Sequence, residues 1–113
     1  MLYRGGCHCG NMTFEVEGEL TQVVSCNCSI CARKGALLWA VPRDKLRMLT
    51  PERGVGRYTF NNHIIEHRFC QTCGIHSYAE SAGDEPTAYV NIRCLEGVEP
   101  ADLPVLNFDG RSM

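Results

Sequence analysis

Seven of the eight cysteines in this 113-residue chain fall into three tight clusters, and no other feature of the sequence constrains the fold as much. The clusters are Cys7-His8-Cys9-Gly10, Cys26-Asn27-Cys28-Ser29-Ile30-Cys31 and Cys70-Gln71-Thr72-Cys73-Gly74, with Cys94 standing apart. A tetrahedral zinc with Zn–S bonds near 2.3 Å needs sulfurs a little under about 4 Å apart, and a tight turn bearing C-x-C or C-x-x-C supplies two such thiolates. A disulfide framework spreads its partners along the chain, and with eight cysteines it would have 105 possible connectivities. The clustering favours metal. Gly5, Gly6 and Gly10 around the first pair and Gly74 after the third cluster suit knuckles whose backbone N–H groups turn towards sulfur.

A structural zinc is closed by four protein ligands, whereas a catalytic zinc keeps three and leaves one position open. Seven ligands divide naturally as four plus three. Cys7 and Cys9 with Cys70 and Cys73 would pin distant halves of the chain together, and Cys26, Cys28 and Cys31 lie on one short loop that can reach a single ion unaided. The rival division adds Cys94 to that loop and closes both sites. Cys94 ends the strand-like run Tyr89-Val90-Asn91-Ile92-Arg93-Cys94, where a buried, inert cysteine is the ordinary expectation.

Composition removes several classes. Eleven Lys and Arg against thirteen Asp and Glu give a formal charge of −2 with no basic stripe, so nucleic acid is not an expected partner. The longest apolar stretch, Ala36 to Val41, is far short of the roughly 20 residues that cross a bilayer. No charged segment followed by an apolar one opens the chain, so the expected location is the cytoplasm, with reduced thiols. With no repeat or linker, residues 1–113 read as one zinc-binding domain.

The strand signals are short. Met12 to Glu17 alternates with period two, Thr21 to Ser25 leads into the second cluster, and Ala36 to Val41 is an apolar run, expected to be central, that Pro42 ends. Arg57 to Phe60 and Ile64 to Phe69, joined by Asn61-Asn62-His63, read as a hairpin delivering Cys70. His76 to Glu80 and Ala88 to Cys94 continue the pattern, and Arg43 to Leu49 and Pro100 to Leu103 are short helical candidates. The expectation is a mainly β chain with zinc knuckles at strand ends.

The three clusters, followed by Val90-Asn91-Ile92-Arg93-Cys94-Leu95, resemble the glutathione-dependent formaldehyde-activating enzyme (GFA) family, also called the CENP-V domain family, over nearly the whole chain. The resemblance implies an Mss4-like fold of small coiled antiparallel sheets. It implies two Zn²⁺ per chain, one structural on Cys7, Cys9, Cys70 and Cys73 and one catalytic on Cys26, Cys28 and Cys31. It also implies a carbon–sulfur lyase-type activity on thiol adducts, with glutathione and formaldehyde giving S-hydroxymethylglutathione. The alternative reading is a zinc-stabilised binding module without turnover.

Coordination to zinc converts a thiol to a thiolate, so an open three-cysteine site is suited to collect a small thiol such as glutathione. Three thiolates and a fourth from substrate leave net negative charge, and Arg33 and Lys34 are the candidates to offset it or to meet a substrate carboxylate as substrate contacts, although both also fit a solvated loop. His63, His67 and His76 are candidates for a proton relay, and Glu66 with His67 for acid–base work, but each also fits a plain structural position. His8 is expected to point away from the metal, Trp39 to be core, and Asn91 to orient a knuckle.

Overall fold

The computed structural model describes residues 1–51, 54–60 and 63–112. The mainly β expectation holds, and the strands divide into a small and a large sheet. The small sheet has three strands in the order β1 (Leu2–Gly6), β2 (Thr13–Glu17), β5 (Leu46–Met48), all antiparallel. The large sheet contains β3 (Val23–Cys26), β4 (Leu38–Pro42), β6 (Val55–Tyr58), β7 (Ile65–Cys70), β8 (His76–Ser81), β9 (Thr87–Asn91) and β10 (Val105–Phe108), in the order β10-β3-β4-β9-β8-β7-β6. It is antiparallel except at one edge, where β10 runs parallel to β3. One short helix, α1 (Ser29–Lys34), follows β3. No helix among the described residues is long and apolar enough to cross a membrane.

The alternation in β2 does what a period of two dictates, sending Met12, Phe14 and Val16 inward with no exposed area. Phe14 meets Tyr78 of β8 edge to face across the two sheets, and Val23, Val41, Ala88, Val90 and Ile92 complete the core. β4 is internal in the large sheet, as its continuous apolar run requires, and Trp39 packs in the core against Tyr3.

Three segments depart from the sequence expectation. Only Arg43–Lys45 of the Arg43–Leu49 candidate is helical, as one 3-10 turn, and Leu46–Met48 instead becomes β5. Burial of Leu46 and pairing with β2 outweigh a helical propensity worth only tenths of a kcal/mol per residue. β6 begins at Val55 rather than Arg57, pairing Val55 with Cys70 and Gly56 with Phe69, and a Cβ at Gly56 would collide with the Phe69 ring. Asn61 and Asn62, assigned to the hairpin turn, lie outside the described residues. β9 stops at Asn91, and Cys94 sits in a 3-10 turn, Ile92–Cys94, rather than on a strand.

Candidate metal centres

The first centre forms where two hairpins meet. β1 and β2 are joined by the turn carrying Cys7 and Cys9, closed by a 2.9 Å bond from Cys7 N–H to the Met12 carbonyl. β7 and β8 are joined by the turn carrying Cys70 and Cys73, closed by Cys70 N–H to Ile75 and Gly74 N–H to Cys70. Gly10 (φ +87°) and Gly74 (φ +81°) occupy the left-handed positions that these turns need. One hairpin belongs to the small sheet and the other to the large one, so the cluster links the two sheets. Asn11 Nδ2 donates to Thr72 Oγ1 across the same junction.

The four sulfurs lie within 4.8 Å of one another, with Cys7–Cys9 at 3.6 Å and Cys9–Cys70 at 3.5 Å. A tetrahedron with 2.3 Å Zn–S bonds has edges of roughly 3.8 Å, so the donor set fits zinc. The Thr72 and Cys73 amides point at Cys70 Sγ from 3.4 and 3.5 Å. Hydrogen bonds from the Ile75 and Cys9 amides bring the Cys73 thiol down to about 6, and the Cys73 amide lowers Cys70. Cys9 runs the other way: against a lowering hydrogen bond from the Asn11 amide, burial and the Cys70, Cys7 and Cys73 sulfurs take its thiol up to about 11.

The second centre is local. Cys26 ends β3, Cys28 occupies the N-cap of α1, and Cys31 lies three residues further along the helix, so a strand end and a single helical turn bring the three sulfurs within 4.8 Å of one another. The segment expected as a loop is therefore half helix. The Cys28 amide reaches Cys26 Sγ at 3.5 Å. Burial, then the Cys28 thiol, pushes the Cys31 thiol up to about 12, with Lys34 pulling the other way.

The segment after β10 covers this centre. Asn27, between two of the cysteines, accepts from the Arg111 amide and donates to Asp109, while its own amide bonds Phe108. Gly110 lies so close that a Cβ there would stand 2.5 Å from Cys26 Sγ. Nothing in the sequence of β10, exposed along its length, announces this contact.

Cys94 does not join the three-cysteine loop. It donates to the His76 carbonyl at 3.7 Å, and its charged neighbours are Cys7 and Cys73 of the other cluster. Burial raises its thiol, as expected for an inert cysteine.

Lys34 and Arg33 part company. Arg33 bends back to the Ser29 carbonyl of its own helix and stays exposed. Lys34 reaches across to β7 and β8, where its Nζ lies 3.1 Å from both His67 Nδ1 and His76 Nε2. Burial lowers Lys34, while Cys31, Cys28 and Cys26 raise it; in its ammonium form it only donates, which assigns the acceptor role to both facing ring nitrogens. Burial and then Lys34 take His67 down to about 4, and the same two causes take His76 to about 3. His67 is buried rather than solvent-facing. The sequence could not pair it with His76, because a register shift between Arg68 and Phe69 sets their relative positions.

These three residues line a cleft of about 310 Å³ with Ile30, Arg57, Tyr58, Phe69 and Gly74. A larger hollow of about 610 Å³, beside Pro42, Arg43, Asp44 and Pro86, has no cysteine or histidine in its lining. The other candidates fall outside the cleft. Glu66 is paired with Arg57 and Arg68, and His63 bonds Thr59 at the surface. His8 belongs to neither sulfur cluster, and Asn91 bridges the His76 carbonyl and the Arg93 amide.

Residues 2–105 match the family model described as glutathione-dependent formaldehyde-activating enzyme. A crystal structure of a Rhodobacter sphaeroides protein, a structural-genomics target, is 32% identical, with a TM-score of 0.81, and the match covers 91% of this chain and 99% of that one.

Proposed function

Because the chain belongs to the glutathione-dependent formaldehyde-activating enzyme family, we propose that it is a zinc-dependent carbon–sulfur lyase-type enzyme joining a small thiol, glutathione in the first instance, to formaldehyde. The observation that carries this reading is the difference in ligand number between the two centres: four converging cysteines in one and three in the other. In this reading Cys7, Cys9, Cys70 and Cys73 hold a structural zinc, and Cys26, Cys28 and Cys31 hold the reactive one. Zinc at the second centre, when bound, supplies a Lewis acid that gathers and orients a substrate sulfur as thiolate.

The chain's own residues do the rest. Cys28 and Cys31 fix the open side of the centre through the rigid turn of α1, while the Gly110 segment covers Cys26. Ile30 and Phe69 give the cleft apolar walls that restrict water, and Lys34 supplies positive charge beside three sulfurs. Arg57 stands exposed on the cleft lining, paired with Glu66 at 3.3 Å, and a carboxylate of a peptide thiol would have to compete with that pair.

The test is turnover. Protein carrying two zinc ions per chain should consume formaldehyde in the presence of glutathione faster than the uncatalysed mixture does, and Cys31→Ser should abolish the difference. No acceleration with glutathione or any other small thiol would leave a zinc-stabilised binding module instead.

A further inference from the structure

Lys34 is held in an unusual way for a lysine beside cysteines. Its ammonium has three N–H groups, two of which are taken by His67 Nδ1 and His76 Nε2. The third has no partner among the described residues. Two fixed acceptors from adjacent strands leave the remaining N–H a restricted range of directions, and Lys34 lines the cleft. A counter-charge for the cysteines would need no such steering. The cleft lining contains no carboxylate among the described residues, and Glu66, which pairs with the lining residue Arg57, is also held by Arg68 rather than by Lys34.

We propose that Lys34, aimed by His67 and His76, is an oxyanion-binding group: its third N–H holds the aldehyde oxygen that becomes anionic as sulfur bonds to the carbonyl carbon. This rests on the functional reading above. The thiol proton passes to solvent as the sulfur becomes a thiolate. The C–S bond then forms as the C=O π bond breaks, the electron pair moves to oxygen, and that oxygen takes a proton from water. Lys34 stays an ammonium throughout. His67 and His76 are positioning residues, acting through Lys34.

Removing one oxyanion donor typically costs about 10²–10³ in kcat. In zinc-loaded protein, Lys34→Met should therefore lose about 10²-fold in kcat with little change in KM for the thiol, and Lys34→Arg should recover part of it. A binding readout stands apart from turnover. Titration calorimetry compares thioglycolate, which carries an anionic oxygen near its sulfur, with ethanethiol, which does not. Wild type should prefer thioglycolate by about tenfold or more, and Lys34→Met should lose that preference while retaining ethanethiol affinity and both zinc ions.

A preference that survives in Lys34→Met overturns the proposal. So does loss of zinc from that variant, which would make Lys34 a partner of the cysteines alone, and so does a wild type that shows no preference. A wild type with no turnover, but whose thioglycolate preference depends on Lys34, leaves the anion site standing and removes the enzymatic reading.

Discussion

Cys9 and Cys70 meet at 3.5 Å although 61 positions separate them, whereas Cys26, Cys28 and Cys31 share one strand end and one helical turn. The first centre ties a hairpin of the small sheet to a hairpin of the large one; the second adds no link between distant elements beyond its covering segment. A cross-link stabilises by the long-range constraint it imposes, so the two metals should differ in what they hold together. The electrostatics do not divide the centres in this way: backbone amides bring Cys73 down to about 6 but Cys9 beside it is raised to about 11, and burial pushes Cys31 up to about 12 while Cys28 is lowered.

The largest expected effect follows directly. Structural zinc contributes an apparent 10–16 kcal/mol in small zinc peptides, comparable to the roughly 5–15 kcal/mol that stabilises a whole domain. Cys73→Ser should therefore abolish the cooperative thermal transition. Cys31→Ser should keep it and lose one zinc per chain by metal analysis. Equal unfolding of both variants would erase the distinction between a clamp and a reactive centre.

Much of that distinction was legible from cysteine spacing, because ligand geometry is short-ranged and each pair sits within a few residues. Strands with strict alternation, such as Met12 to Glu17, were legible for the same reason. What escaped depends on partners far along the chain. Leu46 becomes a strand residue only because β2 offers it an edge and a core. β1 carries two glycines and little apolar character, and β10 is exposed on both faces, so neither shows a period. The Lys34–His67–His76 contact requires α1, β7 and β8 to converge, and single-residue chemistry could name its members without joining them.

Metal release sharpens the comparison at intermediate scale. A chromophoric chelator should withdraw zinc from the two-zinc protein in two phases of about one ion each, separated by tenfold or more in rate. The fast phase belongs to the three-cysteine centre, which has fewer ligands. Gly110→Val, whose side chain would press on Cys26 Sγ, should accelerate the fast phase alone. Acceleration of both phases would mean that the covering segment supports the whole fold rather than one centre.

The smallest effect lies in the acid dependence of the cleft beside the second centre. In the unfolded chain a histidine protonates near 6.5, but burial and Lys34 hold His67 down to about 4 and His76 to about 3 in the fold. Between those values the unfolded chain binds protons that the folded one refuses, so the stability contributed by the neutral rings is present above 6.5 and is lost as pH falls towards 4. For His67 alone the loss between pH 7 and 5 is on the order of 2 kcal/mol. His67→Gln keeps an acceptor for Lys34 but cannot titrate. At matched zinc content, wild-type stability should fall more steeply than that of the variant between pH 7 and 5, as read by urea midpoints. Parallel pH profiles would show that His67 is not buried neutral beside Lys34, and that the flank of the three-cysteine centre carries no acid liability of its own.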